Sequence, residues 1–174
     1  MNVTKDIALE VKGLNKAKET DFGISLKNIN LKVNYGEILG VAGIAGNGQV
    51  ELMEILSGET LCEKDDQILL ENKPVGFKSI TERRQLGIET IPEERTLHAT
   101  VPNLTIAENT FLTYFFKYPK ANDIISNLLN NPHNSKIESE KIIKDNDVRC
   151  PETNPLANQL SGGNLQKFIL GRSL

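Results

Sequence analysis

The residues best suited to chemistry lie in two short stretches more than a hundred positions apart. The first is Gly43-Ile44-Ala45-Gly46-Asn47-Gly48-Gln49-Val50. An apolar run, Ile38 to Ala42, leads into it, and a helical pattern, Glu51 to Ser57, follows. The expected order is therefore strand, glycine loop, helix. Glycines let the backbone curl until several N–H groups point inward, and a helix N-terminus adds partial positive charge, so such a loop holds phosphate. The spacing G-x-x-x-x-G-K-[ST] is met as far as Gly48 and then fails: Gln49 stands at the lysine position and Val50 at the Ser/Thr position. The loop is equipped to hold phosphate but lacks the charge and the Mg²⁺-binding hydroxyl for hydrolysing it. A glycine-rich turn of this kind also occurs in α/β proteins without nucleotide.

The second stretch is Leu160-Ser161-Gly162-Gly163-Asn164-Leu165-Gln166-Lys167. It reads as a serine cap, two glycines and a helix with Leu165, Phe168 and Ile169 on one face. A serine hydroxyl and free N–H groups at a helix start form an anion site. Ser-Gly-Gly alone would be explained by a plain capped helix. The full octet, following a glycine loop, is far more specific.

Between them, Glu93, Glu94 and Arg95 follow Pro92 at the exit of an expected strand, Ile88 to Ile91. Ligands of α/β sheets gather at the carboxyl ends of strands, although a solvated loop explains these charges equally well. His98 and His133 have no metal-ligand company, and Cys62 and Cys150 lack metal spacing, so no metal site is expected and both thiols read as free. No N-K-x-D base-reading motif of a GTPase occurs, because Asn72-Lys73-Pro74-Val75 lacks the aspartate.

The positioning elements follow from periodicity. Ile7, Leu9 and Val11 alternate with polar residues as a half-buried strand ended by Gly13, and Asn15 to Asp21 forms a charged turn. Ile24 and Leu26 alternate in one phase, and Ile29, Leu31 and Val33 in the other, which predicts a bulge or bend around Asn28 before a turn at Asn34-Tyr35-Gly36. In the helix after the loop, Leu52, Met53 and Leu56 form the expected apolar face, and Gly58 stops it. Ile68 to Leu70 reads as a short strand. Ser79-Ile80-Thr81-Glu82, Thr105-Ile106-Ala107-Glu108 and Ser135-Lys136-Ile137-Glu138 each read as a capping box opening a helix. The first of these helices is short and basic and ends at Gly87, and the second carries the stripe Phe111, Leu112, Phe115 and Phe116, which serves core packing or, alternatively, a docking face for a partner. Asn127 to Asn134 reads as a loop.

Composition sets outer bounds. At 174 residues the chain fits one domain. A net charge of −3 argues against a broad nucleic-acid footprint. No apolar stretch is long enough to span a membrane, and residues 1–20 are too polar for a signal peptide.

The octet from Leu160 resembles the signature of the ATP-binding cassette of ABC transporters, with Asn164 where many members have Gln. In that resemblance Gly43 to Val50 is the Walker A loop, Glu93 stands at the Q-loop position, and Leu104 to Asn109 opens the helical subdomain. The resemblance implies an α/β, P-loop NTPase fold over residues 6–174. A β subdomain and P-loop core would take 6–103, an inserted helical subdomain 104–160 and the signature helix 161–174. It implies contacts to ATP from Gly43, Ile44, Ala45, Gly46, Asn47, Gly48, Gln49, Val50, Leu160, Ser161, Gly162, Gly163, Asn164 and Gln166, with Mg²⁺ poorly supported at this loop.

Gly46-Asn47-Gly48-Gln49, Ile91-Pro92-Glu93-Glu94-Arg95 and Asp147-Val148-Arg149 further resemble the second, degenerate cassette of double-cassette ATPases that import nucleosides or simple sugars. No Walker B strand, D-loop or switch histidine follows the signature, so the expectation is a fold incomplete at its C-terminus and a piece of a longer protein. The implied partners are a second cassette, membrane permease subunits and, indirectly, a substrate-binding protein, without nucleic acid. The implied place is the cytoplasmic face of the plasma membrane. Two other readings stay open: a soluble ABC-type ATPase of translation or DNA repair, and an interaction domain that binds no nucleotide.

Overall fold

Alternating side chains and a pair of compensating bulges build the first sheet. In the computed structural model, which describes residues 2–18, 23–96, 98–117 and 132–173, strands β1 (Ile7–Lys16) and β2 (Leu26–Asn34) pair antiparallel. The short β3 (Ile68–Leu70) lies on the other side of β1, and β4 (Lys73–Pro74) pairs with β3, giving the order β2-β1-β3-β4. The β1 strand does not end at Gly13. It bulges there, with Lys12 and Gly13, between Val11 and Leu14, facing the single Asn30 between Leu31 and Ile29. Asn28 then supplies the extra residue on β2 in a left-handed conformation, φ 50°. The two bulges cancel, so apolar residues on either side stay on the same face. Asparagine side chains hold the pair: the Gly13 N–H donates to Asn30 Oδ1 at 2.8 Å, and the Asn28 N–H to Asn15 Oδ1 at 2.9 Å.

The chain divides into two units, Met1–Ile88 and Glu89–Leu174, each with its own apolar core. In the first, helix α1 (Gln49–Ser57) packs Leu52 and Ile55 against Val11, Leu14, Leu26 and Ile68. Its buried face differs from expectation: Ile55 is inside, while Met53 is exposed. Gly58 stops the helix in the left-handed conformation, φ 91°. Helix α2 (Ile80–Gln85) opens on a complete capping box, with the Ser79 N–H donating to Glu82 Oε2 at 2.9 Å. Its Arg83 is fully buried and donates to the carbonyls of Ile55, Leu56, Gly76 and Lys78.

Two expected strands are not formed. Ile38 to Ala42 and Ile88 to Ile91 take no place in any ladder among the described residues, and Ile38 is 97% exposed. An apolar run adopts strand structure only where a neighbouring strand takes up its backbone N–H and C=O groups, and the described residues offer these runs none.

The second unit is helical: α3 (Ile106–Lys117), α4 (Pro132–Asp145) and α5 (Gly162–Ser173). The box at Thr105 is present, with Glu108 Oε2 accepting from the Thr105 N–H at 2.7 Å and from its hydroxyl at 2.8 Å. The box expected at Ser135 is not an N-terminus, because α4 already starts at Pro132 and Ser135 is buried within it. Proline suits a first helical turn, where its missing N–H has no partner to lose. Residues 127–131 of the expected loop, and the side chains of Phe115, Phe116 and His133, lie outside the described residues; Phe111 and Leu112 are half-buried. Among the described residues no helix is long and apolar enough to cross a membrane.

Candidate nucleotide site

The glycine loop is shaped by two left-handed residues, Gly46 (φ 84°) and Gly48 (φ 97°). Gly48 is the N-cap of α1 and is buried against β2; a Cβ there would lie 2.8 Å from Leu26 Cδ2. Residues 43–47 are exposed. The interior of the loop is not empty. Gln49, the first residue of α1, folds back into it: its Nε2 donates to the Ile44 carbonyl at 3.1 Å, and its Oε1 accepts the Asn47 N–H at 3.1 Å. Asn47 Nδ2 also donates to the Ile44 carbonyl, at 2.9 Å. Val50 is exposed and carries no oxygen, and the described residues contain no group of acidic, histidine or cysteine side chains able to hold a metal ion. The side chains of Gln49 and Val50 therefore give this loop neither an anionic nor a hydroxyl ligand for Mg²⁺.

The octet forms the expected helix start and inward apolar face, while the Ser161 hydroxyl accepts from the Asn164 side chain. A short 3-10 turn, Ala157–Gln159, brings Leu160 into the core of the second unit. Leu160 is thus a packing residue on the underside. Ser161, Gly162, Gly163 and Gln166 are exposed above it, while Leu165, Phe168 and Ile169 face inward. The Ser161 carbonyl accepts the Leu165 N–H at 2.8 Å, the first bond of the helix.

Asn164 reaches back to the start of the helix. Its Nδ2 donates to Ser161 Oγ, and its Oδ1 accepts the Arg149 N–H. One turn on, Lys167 Nζ binds both the carbonyl and the carboxylate of Asp147, at 2.8 and 2.7 Å. That ammonium holds the Asp147 carboxyl below the usual carboxylate range. Asn164 and Lys167 together clamp Asp147-Val148-Arg149 against the signature helix. The octet's pattern does not by itself mark Lys167 as a contributor, although its position one turn after Asn164 is a usable signal.

The charged loop after Pro92 is tied to the same helix. Arg95 Nη1 donates to the Gly162 carbonyl at 3.3 Å, and the Arg95 carbonyl accepts from the Thr100 hydroxyl at 2.7 Å. Glu94 is turned into its own loop, accepting from the Thr96 and His98 N–H groups. Glu93 is exposed. Each thiol, Cys62 and Cys150, is free and is pushed up from its ordinary pKa by burial.

A family profile described as ABC transporter matches residues 26–174. The chain belongs to the ABC transporter family. This ABC chain is 35% identical over 172 residues to the nucleoside import ATP-binding protein NupA of Lactococcus lactis, covering 98% of the chain and 32% of that protein. It is 32% identical over 170 residues to the xylose import ATP-binding protein XylG of Photobacterium profundum, covering 97% of the chain and 32% of that protein. It therefore spans about a third of the length of the curated relatives it matches. Among solved structures, an ATP-binding cassette of an ABC transporter in its ADP conformation aligns with a TM-score of 0.68 at 20% identity, over 97% of this chain and 64% of that one. The fold is that of an ABC cassette, and the family binds ATP, typically with Mg²⁺.

Proposed function

We propose that this chain is part of the ATP-binding subunit of an importer for a nucleoside or a simple sugar. In this reading it acts as the second, degenerate cassette and presents Ser161, Gly162 and Gly163 to ATP held by a partner cassette. The partner is the first cassette of the same subunit or a second copy. Permease subunits, fed by a substrate-binding protein, carry the cargo, and the chain works at the cytoplasmic face of the membrane. Support for the cargo class comes from the relatives, whose names are those of nucleoside, guanosine, xylose and ribose import ATP-binding proteins.

The observation that carries the signature role is Gly163. It lies in the first turn of α5, its φ is not in the left-handed region, and a Cβ built on it meets nothing within 4 Å. Nothing among the described residues demands glycine there, and glycine in a helix costs about 0.5–1 kcal/mol relative to alanine. A bare backbone kept at that cost fits close approach by a group from outside. The group expected at an exposed hydroxyl and a helix N-terminus is a phosphate.

Replacing Gly163 with alanine separates the two roles. Gly163→Ala should leave the melting temperature unchanged or raise it, while ATPase activity of the assembled transporter falls. A variant as active as the parent would remove the proposal. A pure interaction domain, which contributes nothing to the nucleotide, would leave that activity indifferent to Gly163→Ala.

A further inference from the structure

We propose that Gln49 closes this chain's own phosphate loop by placing its amide where a phosphate would sit, and that it thereby sets the loop's affinity for polyphosphates. The amide is matched to the loop at both ends. Its oxygen takes the Asn47 N–H, one of the donors such a loop would offer an anion. Its nitrogen takes the Ile44 carbonyl, an acceptor that would repel an anion. The side chain also lies against the bare face of Gly43: a Cβ there would be 2.3 Å from Gln49 Nε2, so glycine at 43 makes room for the amide.

Chemistry explains why glutamine suits this task. A phosphate offers only acceptors, so it cannot replace the Gln49 bond to the Ile44 carbonyl, which then keeps only Asn47 Nδ2. Lysine offers only donors and leaves the Asn47 N–H for the ligand. Glutamine satisfies both groups at once and carries no charge that must be solvated or neutralised. A polyphosphate must therefore displace two internal hydrogen bonds before it gains its own. The left-handed Gly48 cap turns the chain so that the first residue of α1 can fold back in this way. This inference deepens the reading that the loop is not the working site, and rests on it for its meaning in a transporter. Its test does not involve the signature.

The test is calorimetric titration of the full chain with inorganic tripolyphosphate, comparing the parent with Gln49→Ala and with Gln49→Met, which keeps the length without the amide. Both variants should bind at least about tenfold tighter than the parent, the order of affinity expected for one charge-assisted hydrogen bond regained. In parallel, hydrogen exchange at the ligand-free Asn47 amide should be slower in the parent than in either variant. If both variants stay folded and neither binds more tightly, or if Asn47 exchanges as fast in the parent, the inference is overturned. Such an outcome beside an inactive Gly163→Ala would leave the proposed signature role standing and remove only the plug.

Discussion

Asn164 bridges the Ser161 hydroxyl and the Arg149 backbone, with Nδ2 3.0 Å from Ser161 Oγ and Oδ1 3.0 Å from the Arg149 nitrogen. Because Ser161 Oγ accepts from Asn164, its one O–H proton remains available to donate outward. Asn164 thus orients the hydroxyl. Asn164→Ala should lower ATPase activity of the assembled transporter roughly two- to tenfold, the worth of one neutral hydrogen bond. Asn164→Asp should cost more, since a carboxylate there would draw the Ser161 proton inward and place negative charge beside phosphate. Steady-state phosphate release from both variants decides the order, and a more active Asn164→Asp would contradict it.

Arg83 should be the most sensitive position in the first unit. Its guanidinium is fully buried and joins four carbonyls, two of which, from Ile55 and Leu56, close the C-terminal end of α1. A cation at a helix C-terminus is favourable, and unmet carbonyls in the interior are costly. Arg83→Leu should destabilise by about 3 kcal/mol or more, and Arg83→Lys by less. Urea denaturation followed by circular dichroism measures it. A change within about 0.5 kcal/mol, the ordinary surface value, would contradict the assignment.

The capping carboxylates give a defined acid response. Hydrogen bonds from Ser79 hold Glu82, and those from Thr105 hold Glu108, below the usual glutamate range. A carboxyl whose folded pKa is depressed contributes stability above its unfolded pKa and loses it as pH falls through the folded value. The parent should therefore lose melting temperature between about pH 5 and pH 3. The double variant Glu82→Gln, Glu108→Gln should start lower near neutrality and fall less steeply over the same range. Parallel slopes would show that these caps do not titrate with folding.

Much of the local structure was legible because it depends on a few adjacent residues. The boxes at Ser79 and Thr105, the stop at Gly58, the bulge at Asn28 and the inward face of α5 are all written within one or two turns of chain. What escaped depends on distant neighbours. Ile38 to Ala42 has the composition of a strand, but composition does not say which backbone pairs with it. Ser135 has the pattern of a cap, yet the helix already runs through it. Arg83 reads as one charge of a short basic helix, and only the carbonyls of Ile55, Leu56 and Gly76 around it reveal an interior role. The glycine turn before α1 and the helix start after Ser161 could be read directly. The inward fold of the Gln49 amide could not, because it follows from the left-handed turn at Gly48 and the space left by Gly43.

In the proposed division of labour the signature serves a partner's nucleotide and this chain's own loop does no chemistry. ATPase activity of the assembled transporter, with Ser161→Arg and Gln49→Ala measured side by side, tests it most directly. Arginine at 161 blocks the approach of phosphate to the helix start, so at least about a hundredfold loss is expected, comparable to removing a preorganised donor from a charge-stabilising site. Alanine at 49 removes a neutral amide, and most of the activity should remain. If Gln49→Ala proves the more damaging substitution, the loop itself is the working site and the account is wrong.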